Sequence, residues 1–160
     1  MRRDRKFIPV RQNTTMRVLA LDVGRRRIGL ALSDTSATLA RPYKTLTVTS
    51  ANAVDQVVTE VQRLISDEDG LDVIVVGLPR HLDGRPSEQT VAVQRFIDDL
   101  RALISIPLFT EDERLSSREA ESRLAVRERD WKKRKAQLDA AAAAVILQDY
   151  LDRGAQETGA

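Results

Sequence analysis

The sequence lacks cysteine altogether and has a single histidine, His81, among its 160 residues. Without cysteine, the chain forms no disulfide and offers no thiolate to zinc, haem or an iron–sulfur cluster. One imidazole also excludes a zinc site built on several histidines. Any metal site must therefore rely on carboxylates, which favour a hard cation.

Aromatic residues make up only 4% of the chain, and no apolar run reaches the roughly 18 residues of a membrane span. The first residues also lack the apolar segment of a secretory signal. We therefore expect a cytoplasmic protein with no membrane partner. Scarce aromatics argue against a broad platform for base stacking.

Charge is unevenly distributed. Of the net charge of +2, residues 1–15 carry +4 and the rest −2. We expect a basic, disordered arm at residues 1–15, one folded domain at 16–152 and a disordered tail at 153–160. Between Arg114 and Lys135, nine cations stand against four anions. This basic tract predicts a surface for an anionic polymer, the alternative being a solvated helix with paired charges.

Strand-forming residues alternate or run continuously in five segments. The segments are residues 17–23, 28–33, 43–48, 72–77 and 106–109. We expect the first three to be antiparallel, because the first two form a hairpin. The uninterrupted apolar residues of the fourth predict a central strand that is covered on both faces.

Four other segments space their apolar residues as helices do. They begin near residues 52, 87, 116 and 136, the last one ending near 151. In the second, the residues expected to face the core are Val91, Val93, Phe96, Ile97, Leu100 and Ile104. The order βββ-α-β-α-β-α-α predicts an α/β fold with a mixed five-stranded sheet and helices on both faces.

Asp22 is the most informative residue, because it ends a strand that is otherwise apolar on both faces. An unpaired carboxylate there costs several kcal/mol, so a partner is required, unless Asp22 only caps the turn. Asp112 and Glu113 follow the fifth strand, at the edge where α/β sheets carry their sites, and Asp139 lies near the start of the last helix. Each alone is typical of a solvated cap, but together they suit Mg²⁺ or Mn²⁺.

Four motifs, in this order, resemble the YqgF/RuvX family. They are Leu21-Asp22-Val23-Gly24 with residues 29–34, Val76-Gly77-Leu78-Pro79 with Asp83-Gly84, Asp112-Glu113-Arg114-Leu115-Ser116, and Lys135 with residues 139–143. The resemblance covers residues 16–152 and implies an RNase H-like fold. It also implies a nuclease, described in this family either as trimming the 5′ end of precursor 16S rRNA or as resolving Holliday junctions.

The resemblance further implies catalytic, metal-binding carboxylates at Asp22, Asp139 and the Asp-Glu-Arg motif. The wider RNase H-like group often carries an acid where this chain has Gly77, so Glu113 or Asp112 would replace it. Strand alternation directs only one of the two inward, and we expect Glu113, with Asp112 as the alternate. The implied mechanism uses two Mg²⁺ or Mn²⁺ ions to activate water and stabilise the leaving oxygen.

Basic side chains around this edge are expected to hold phosphates. They are Arg25, Arg26, Arg27, Arg114, Lys132, Lys133, Arg134 and Lys135. His81 is either an acid for the leaving group or a solvated loop residue. Precursor rRNA is the first expected substrate and branched DNA the second, acted on by a monomer or a homodimer. A non-catalytic RNA-binding module is the alternative of another class.

Overall fold

A computed structural model describes residues 15–113 and 131–157. The strands are β1 (Val18–Val23), β2 (Arg27–Ser33), β3 (Ala40–Thr47), β4 (Val73–Leu78) and β5 (Leu108–Asp112). The helices are α1 (Ala53–Ser66), α2 (Glu88–Arg101) and α3 (Trp131–Glu157). In these ranges, no helix has an apolar stretch of membrane-spanning length. The helix expected near residues 116–127 and all but the last residue of the basic arm lie outside the described residues.

The strands form one mixed sheet in the order β3-β2-β1-β4-β5. β1, β2 and β3 pair antiparallel, as predicted, whereas β4 runs parallel to both β1 and β5. All residues of β4 are buried, which agrees with its uninterrupted apolar sequence. Because β1, β4 and β5 run in the same direction, their carboxyl ends meet at one edge of the sheet.

Strand alternation divides the core into two apolar layers. On one face, Leu19 and Leu21 of β1 pack with residues of α1 and α2. On the opposite face, Val18 and Ala20 pack with residues of α3. The prediction of helices on both faces is therefore confirmed. Asp22 continues the alternation of Val18 and Ala20, so it belongs to the α3 face.

β5 begins and ends later than the predicted range of residues 106–109. Its parallel pairing with β4 continues as far as Gly77 opposite Glu111 and Leu78 opposite Asp112. Glu111 and Asp112 therefore belong to the strand rather than to a following loop. Glu113 is the first residue beyond it.

α2 begins after Ser87, as expected, because the Ser87 and Thr90 hydroxyls each accept a hydrogen bond from the other residue's backbone N–H. Its buried face includes Thr90, Val93 and Leu100. The prediction that Val91 faces the core is wrong. Val91 lies about 100° around the helix from Thr90 and is 52% exposed. Ile104 follows the helix and packs, half-buried, against the same core.

α3 extends beyond the predicted residues 136–151 at both ends. Residues 153–157, which were expected in a disordered tail, continue the helix. Arg153 supplies a physical reason, because its guanidinium pairs with the buried Glu111 carboxylate of β5. Arg153 Nη1 donates to Glu111 Oε2 at 3.0 Å, and Nη2 donates to Oε1. This ion pair connects the C-terminal part of α3 to β5 of the sheet.

Candidate active site at the carboxyl edge of the sheet

Asp22 lies half-buried at the carboxyl end of β1, with a glycine beside it on each neighbouring strand. Gly29 of β2 is its antiparallel partner. On β4, Gly77 follows Val76, the parallel partner of Leu21. Cross-strand neighbours share a face of the sheet, so neither glycine places a side chain next to the Asp22 carboxyl. Other elements bring an acid into each of these two spaces.

α3 supplies the acid on the Gly29 side. A Cβ added to Gly29 would lie 2.9 Å from the backbone nitrogen of Ala140 and closer still to the carbonyl oxygen of Asp139. The α3 backbone therefore rests directly on β2, an approach that only glycine permits. The contact brings Asp139 close enough for its charge to raise the pKa of Asp22.

Arg27 holds the Asp139 side chain. It lies two residues before Gly29 on β2, on the same face, and its Nε donates a 2.6 Å hydrogen bond to Asp139 Oδ2. β2 thus contacts both the backbone and the carboxylate of Asp139. The sequence predicted Arg27 as a phosphate-binding residue, whereas the structure directs its Nε to an acid.

Glu113 supplies the acid on the Gly77 side. A Cβ added to Gly77 would lie 3.0 Å from both Cδ and Oε1 of Glu113, so this carboxyl covers the glycine. The Glu113 backbone N–H donates to the Leu78 carbonyl at 3.4 Å and extends the β4–β5 pairing. Asp112 is exposed, and strand alternation directs it to the opposite face. Of the two acids that the sequence left as alternatives, Glu113 is the one beside Asp22.

The carboxyl groups of Asp22 and Glu113 lie within hydrogen-bonding reach of each other, and this contact affects the pKa of both. Burial, together with the charges of Asp22 and Asp112, raises the pKa of Glu113 to about 8. Burial also raises the pKa of Asp22 to about 6, with the Asp139 charge adding to the rise and the Glu113 hydrogen bond opposing it. Near neutral pH, protonated Glu113 therefore donates to an ionised Asp22.

The three acids converge without forming a ready-made coordination sphere. In the described part of the chain, no three side chains among Asp, Glu and His are already arranged to hold a metal ion. Glu113 is engaged by Asp22, and Asp139 by Arg27. Metal binding at this edge therefore requires these contacts to rearrange.

The structure describes the predicted phosphate-binding residues to different extents. Arg25 and Arg26 are exposed in the turn between β1 and β2, just beyond Asp22. Lys132, Lys133, Arg134 and Lys135 belong to the first turns of α3, about one to two turns before Asp139. Arg114 lies outside the described residues.

Three residues that shape the site, Gly29, Gly77 and Arg27, were not predicted in their observed roles. Gly77 carried a signal, because it stands where the wider RNase H-like group often has an acid. No sequence pattern indicated that the α3 backbone packs on Gly29. None indicated that Arg27 pairs with Asp139, which lies far away in the chain. His81 is exposed and lines a groove on the α1–α2 face.

Comparisons with known proteins identify what the chain resembles. A family model described as "RuvX: Holliday junction resolvase" matches residues 16–153. A protein of Chloroflexus aurantiacus (strain ATCC 29366 / DSM 635 / J-10-fl), named "Putative pre-16S rRNA nuclease", is 44% identical over 135 residues, 84% of this chain and 86% of its own. Two other proteins share this name. The one of Roseiflexus sp. (strain RS-1) is 44% identical, and the match covers 85% of this chain and 94% of that protein. The one of Geobacillus thermodenitrificans (strain NG80-2) is 39% identical, and the match covers 86% of this chain and 98% of that protein.

Among solved structures, RuvC of T. thermophilus in complex with a Holliday junction substrate is similar in fold. The TM-score is 0.50 at 15% sequence identity, and the match covers 86% of this chain and 95% of that one. The expected RNase H-like fold is therefore confirmed.

Gly29→Ala should destabilise the protein more than Gly77→Ala. At Gly29, the new methyl group would meet backbone atoms of α3, which cannot rotate away. At Gly77 it would meet Ile146 Cδ1 at 2.5 Å and the Glu113 carboxyl, which are the ends of flexible side chains. We expect urea unfolding to show a loss of about 3 kcal/mol or more at Gly29 and about 1–2 kcal/mol at Gly77. Equal losses would contradict the direct contact of α3 with β2.

Glu113→Gln should stabilise the metal-free protein near pH 8 but not near pH 4. A raised carboxyl pKa means that the folded state binds the proton more tightly than the unfolded chain does. Stability is therefore lost as the pH rises from the unfolded pKa, roughly 4.3, through the folded pKa of about 8. Glutamine remains neutral, so the variant escapes this loss, and we expect its Tm in EDTA near pH 8 to rise by several degrees.

Asp112→Asn is the matched control for this measurement. It removes the neighbouring acid, which is exposed on the opposite face and whose charge contributes to the rise of the Glu113 pKa less than burial and Asp22 do, so the Tm should change much less. If Glu113→Gln were no more stable than the unaltered protein near pH 8, the raised pKa of Glu113 would be refuted.

Proposed function

This chain belongs to the RuvX family, and on that basis we propose that it is a metal-dependent nuclease that hydrolyses phosphodiester bonds. The observation that carries the proposal is the convergence of Asp22, Glu113 and Asp139 in the spaces that Gly29 and Gly77 leave open. Hydrolysis by an activated water needs no nucleophilic serine or cysteine, which fits a chain without cysteine.

The donor set supports Mg²⁺ or Mn²⁺ as the cofactor, with two ions as the proposed number. All three side chains offer oxygen atoms, which are the ligands that hard cations prefer. Burial and mutual repulsion keep Glu113 protonated, and a nearby divalent charge would favour its ionised form. When bound, such ions would supply an activated water and stabilise the leaving oxygen.

Each residue has a distinct role in this proposal. Asp22 would be one metal ligand, and it neighbours both of the other acids. Glu113, in its ionised form, would be a second ligand, while Asp112 lies on the opposite face. Asp139 is the third, and Arg27 maintains its position through their ion pair.

Phosphates of the substrate would be held by the basic residues around the edge. Arg25 and Arg26 are exposed in the turn that follows Asp22, which favours contact with the strand being cleaved. For Arg114 and the basic residues 132–135, phosphate binding remains a proposal that rests on their sequence positions alone. Such contacts orient the nucleic acid and carry little sequence information.

Precursor 16S rRNA is the first proposed substrate, because the similar proteins share a name that specifies it. This substrate implies a role in ribosome biogenesis and a cytoplasmic location. A four-way DNA junction is the second candidate, favoured by the description of the family model. Its two-fold symmetry calls for paired cuts and hence a homodimer, whereas RNA trimming needs only a monomer. The alternative of a non-catalytic RNA-binding module does not explain why three acids converge at this edge.

Asp22→Asn should abolish Mg²⁺- or Mn²⁺-dependent cleavage, lowering the rate by about 10³-fold or more. Binding of RNA should be unchanged or stronger, because the variant removes one negative charge beside the phosphates. Cleavage of a precursor 16S 5′ fragment and filter binding of the same RNA measure the two effects. Asp112→Asn, which alters an exposed acid on the opposite face, should cleave at nearly the normal rate. A folded Asp22→Asn protein that cleaves normally would refute the nuclease proposal.

One assay separates the two substrates. The protein is incubated with Mn²⁺ and either the precursor 16S 5′ fragment or a mobile four-way junction, and its oligomeric state is measured under the same conditions. Faster cleavage of the RNA by a monomer supports rRNA processing. Paired, symmetric cuts in the junction by a dimer support resolution.

A further inference from the structure

A large open groove lies on the α1–α2 face of the sheet, opposite the face that carries the three acids. Its volume is about 1410 Å³, and it extends between α1, α2 and the ends of β1 and β3. Pockets for one small molecule typically measure about 300–1,000 Å³. This α1–α2 groove therefore has room for an extended ligand.

The α1–α2 groove combines apolar side chains with exposed cations. Its apolar lining includes Val54, Ala92 and Phe96. Three exposed arginines, Arg25, Arg26 and Arg95, also line it, and none of their guanidinium groups donates a hydrogen bond to another residue of the described ranges. Two acids, Glu88 and Asp99, offset part of this charge and leave an excess of one positive charge. An elongated ligand with phosphates and apolar surfaces matches this lining.

The α1–α2 groove begins where the strand that carries Asp22 ends. Val23 and Gly24, the next two residues, line it, and the turn continues through Arg25 and Arg26. The residue after that turn is Arg27, which pairs with Asp139 on the other face. Along the chain, only the β1–β2 turn separates the groove from the acids. An elongated ligand that crosses this turn therefore reaches both.

We propose that the α1–α2 groove binds an unpaired segment of the nucleic acid whose phosphodiester bond is held at Asp22, an inference that rests on the proposed nuclease function. Unpaired bases expose apolar faces that pack on aliphatic side chains and on arginine planes, while their phosphates attract the guanidinium groups. A duplex keeps its bases stacked inside and presents mainly phosphates, so it would leave the apolar lining uncovered. The groove thus favours an RNA with a single-stranded flank over a fully paired four-way junction.

The test measures binding without cleavage. In EDTA and at physiological ionic strength, fluorescence anisotropy compares a labelled single-stranded RNA of about 12 nucleotides with a duplex of the same length. Arg95→Glu reverses a charge in the groove and Ala92→Glu adds a bulky anion there. Arg41→Glu is the matched control, because Arg41 is exposed near the start of β3, whereas Thr47 at its other end lines the groove.

We expect the unaltered protein to bind the single strand more tightly than the duplex. Arg95→Glu and Ala92→Glu should each weaken single-strand binding about tenfold and duplex binding much less, whereas Arg41→Glu should change either by less than about twofold. Circular dichroism verifies that the variants fold. Equal effects of Arg95→Glu and Arg41→Glu on single-strand binding, or equal affinity of the unaltered protein for both RNAs, would overturn the proposal.

The two proposals fail separately. Undiminished RNA binding by Arg95→Glu, together with normal cleavage by the unaltered protein, would refute the groove and leave the nuclease intact. Cleavage by Asp22→Asn would refute the nuclease, whatever the groove binds. Tight binding of an acidic peptide at the groove, in place of the single-stranded RNA, would assign it to a protein partner and overturn the inference.

Discussion

The contact between the α3 backbone and Gly29 of β2 is the one on which the acidic edge depends. Because Gly29 has no side chain, the carbonyl of Asp139 occupies the place of a Cβ, and Asp139 comes to lie beside Asp22. Gly77 does the same on the other side by leaving room for the Glu113 carboxyl. Three acids from β1, α3 and the end of β5 meet because two strands carry no side chain where they converge.

This convergence opposes folding in the metal-free protein, and other contacts offset it. Burial and repulsion raise the pKa values of Asp22 and Glu113. Near neutral pH the folded state must therefore keep Glu113 protonated and Asp22 ionised in surroundings that disfavour charge, which lowers the free energy of unfolding. Arg27 neutralises the third acid, the Arg153–Glu111 ion pair ties α3 to β5, and apolar layers cover both faces of the sheet. A site that is strained without its ligand and supported by a rigid scaffold is a common arrangement in enzymes.

Local sequence patterns predicted most of the fold, because hydrophobic periodicity is a local property. The uninterrupted apolar residues of β4 and the helical spacing in α1 were sufficient to identify those elements. The ends of β5 and α3 were not predictable in this way, since strand pairing with β4 and the Arg153–Glu111 ion pair determine them. The choice between Asp112 and Glu113 depended on the same pairing. Arg27 and Asp139 lie 112 residues apart in the chain, so no local signal could connect them.

The central claim is that Asp22, Glu113 and Asp139 together bind a divalent cation. Thermal unfolding near pH 8, with and without Mn²⁺, tests it most directly when the unaltered protein is compared with Asp22→Asn, Glu113→Gln and Asp112→Asn. Saturating Mn²⁺ should raise the Tm of the unaltered protein and of Asp112→Asn by several degrees and leave Asp22→Asn and Glu113→Gln nearly unchanged. An equal Mn²⁺-induced shift in all four proteins would contradict the account.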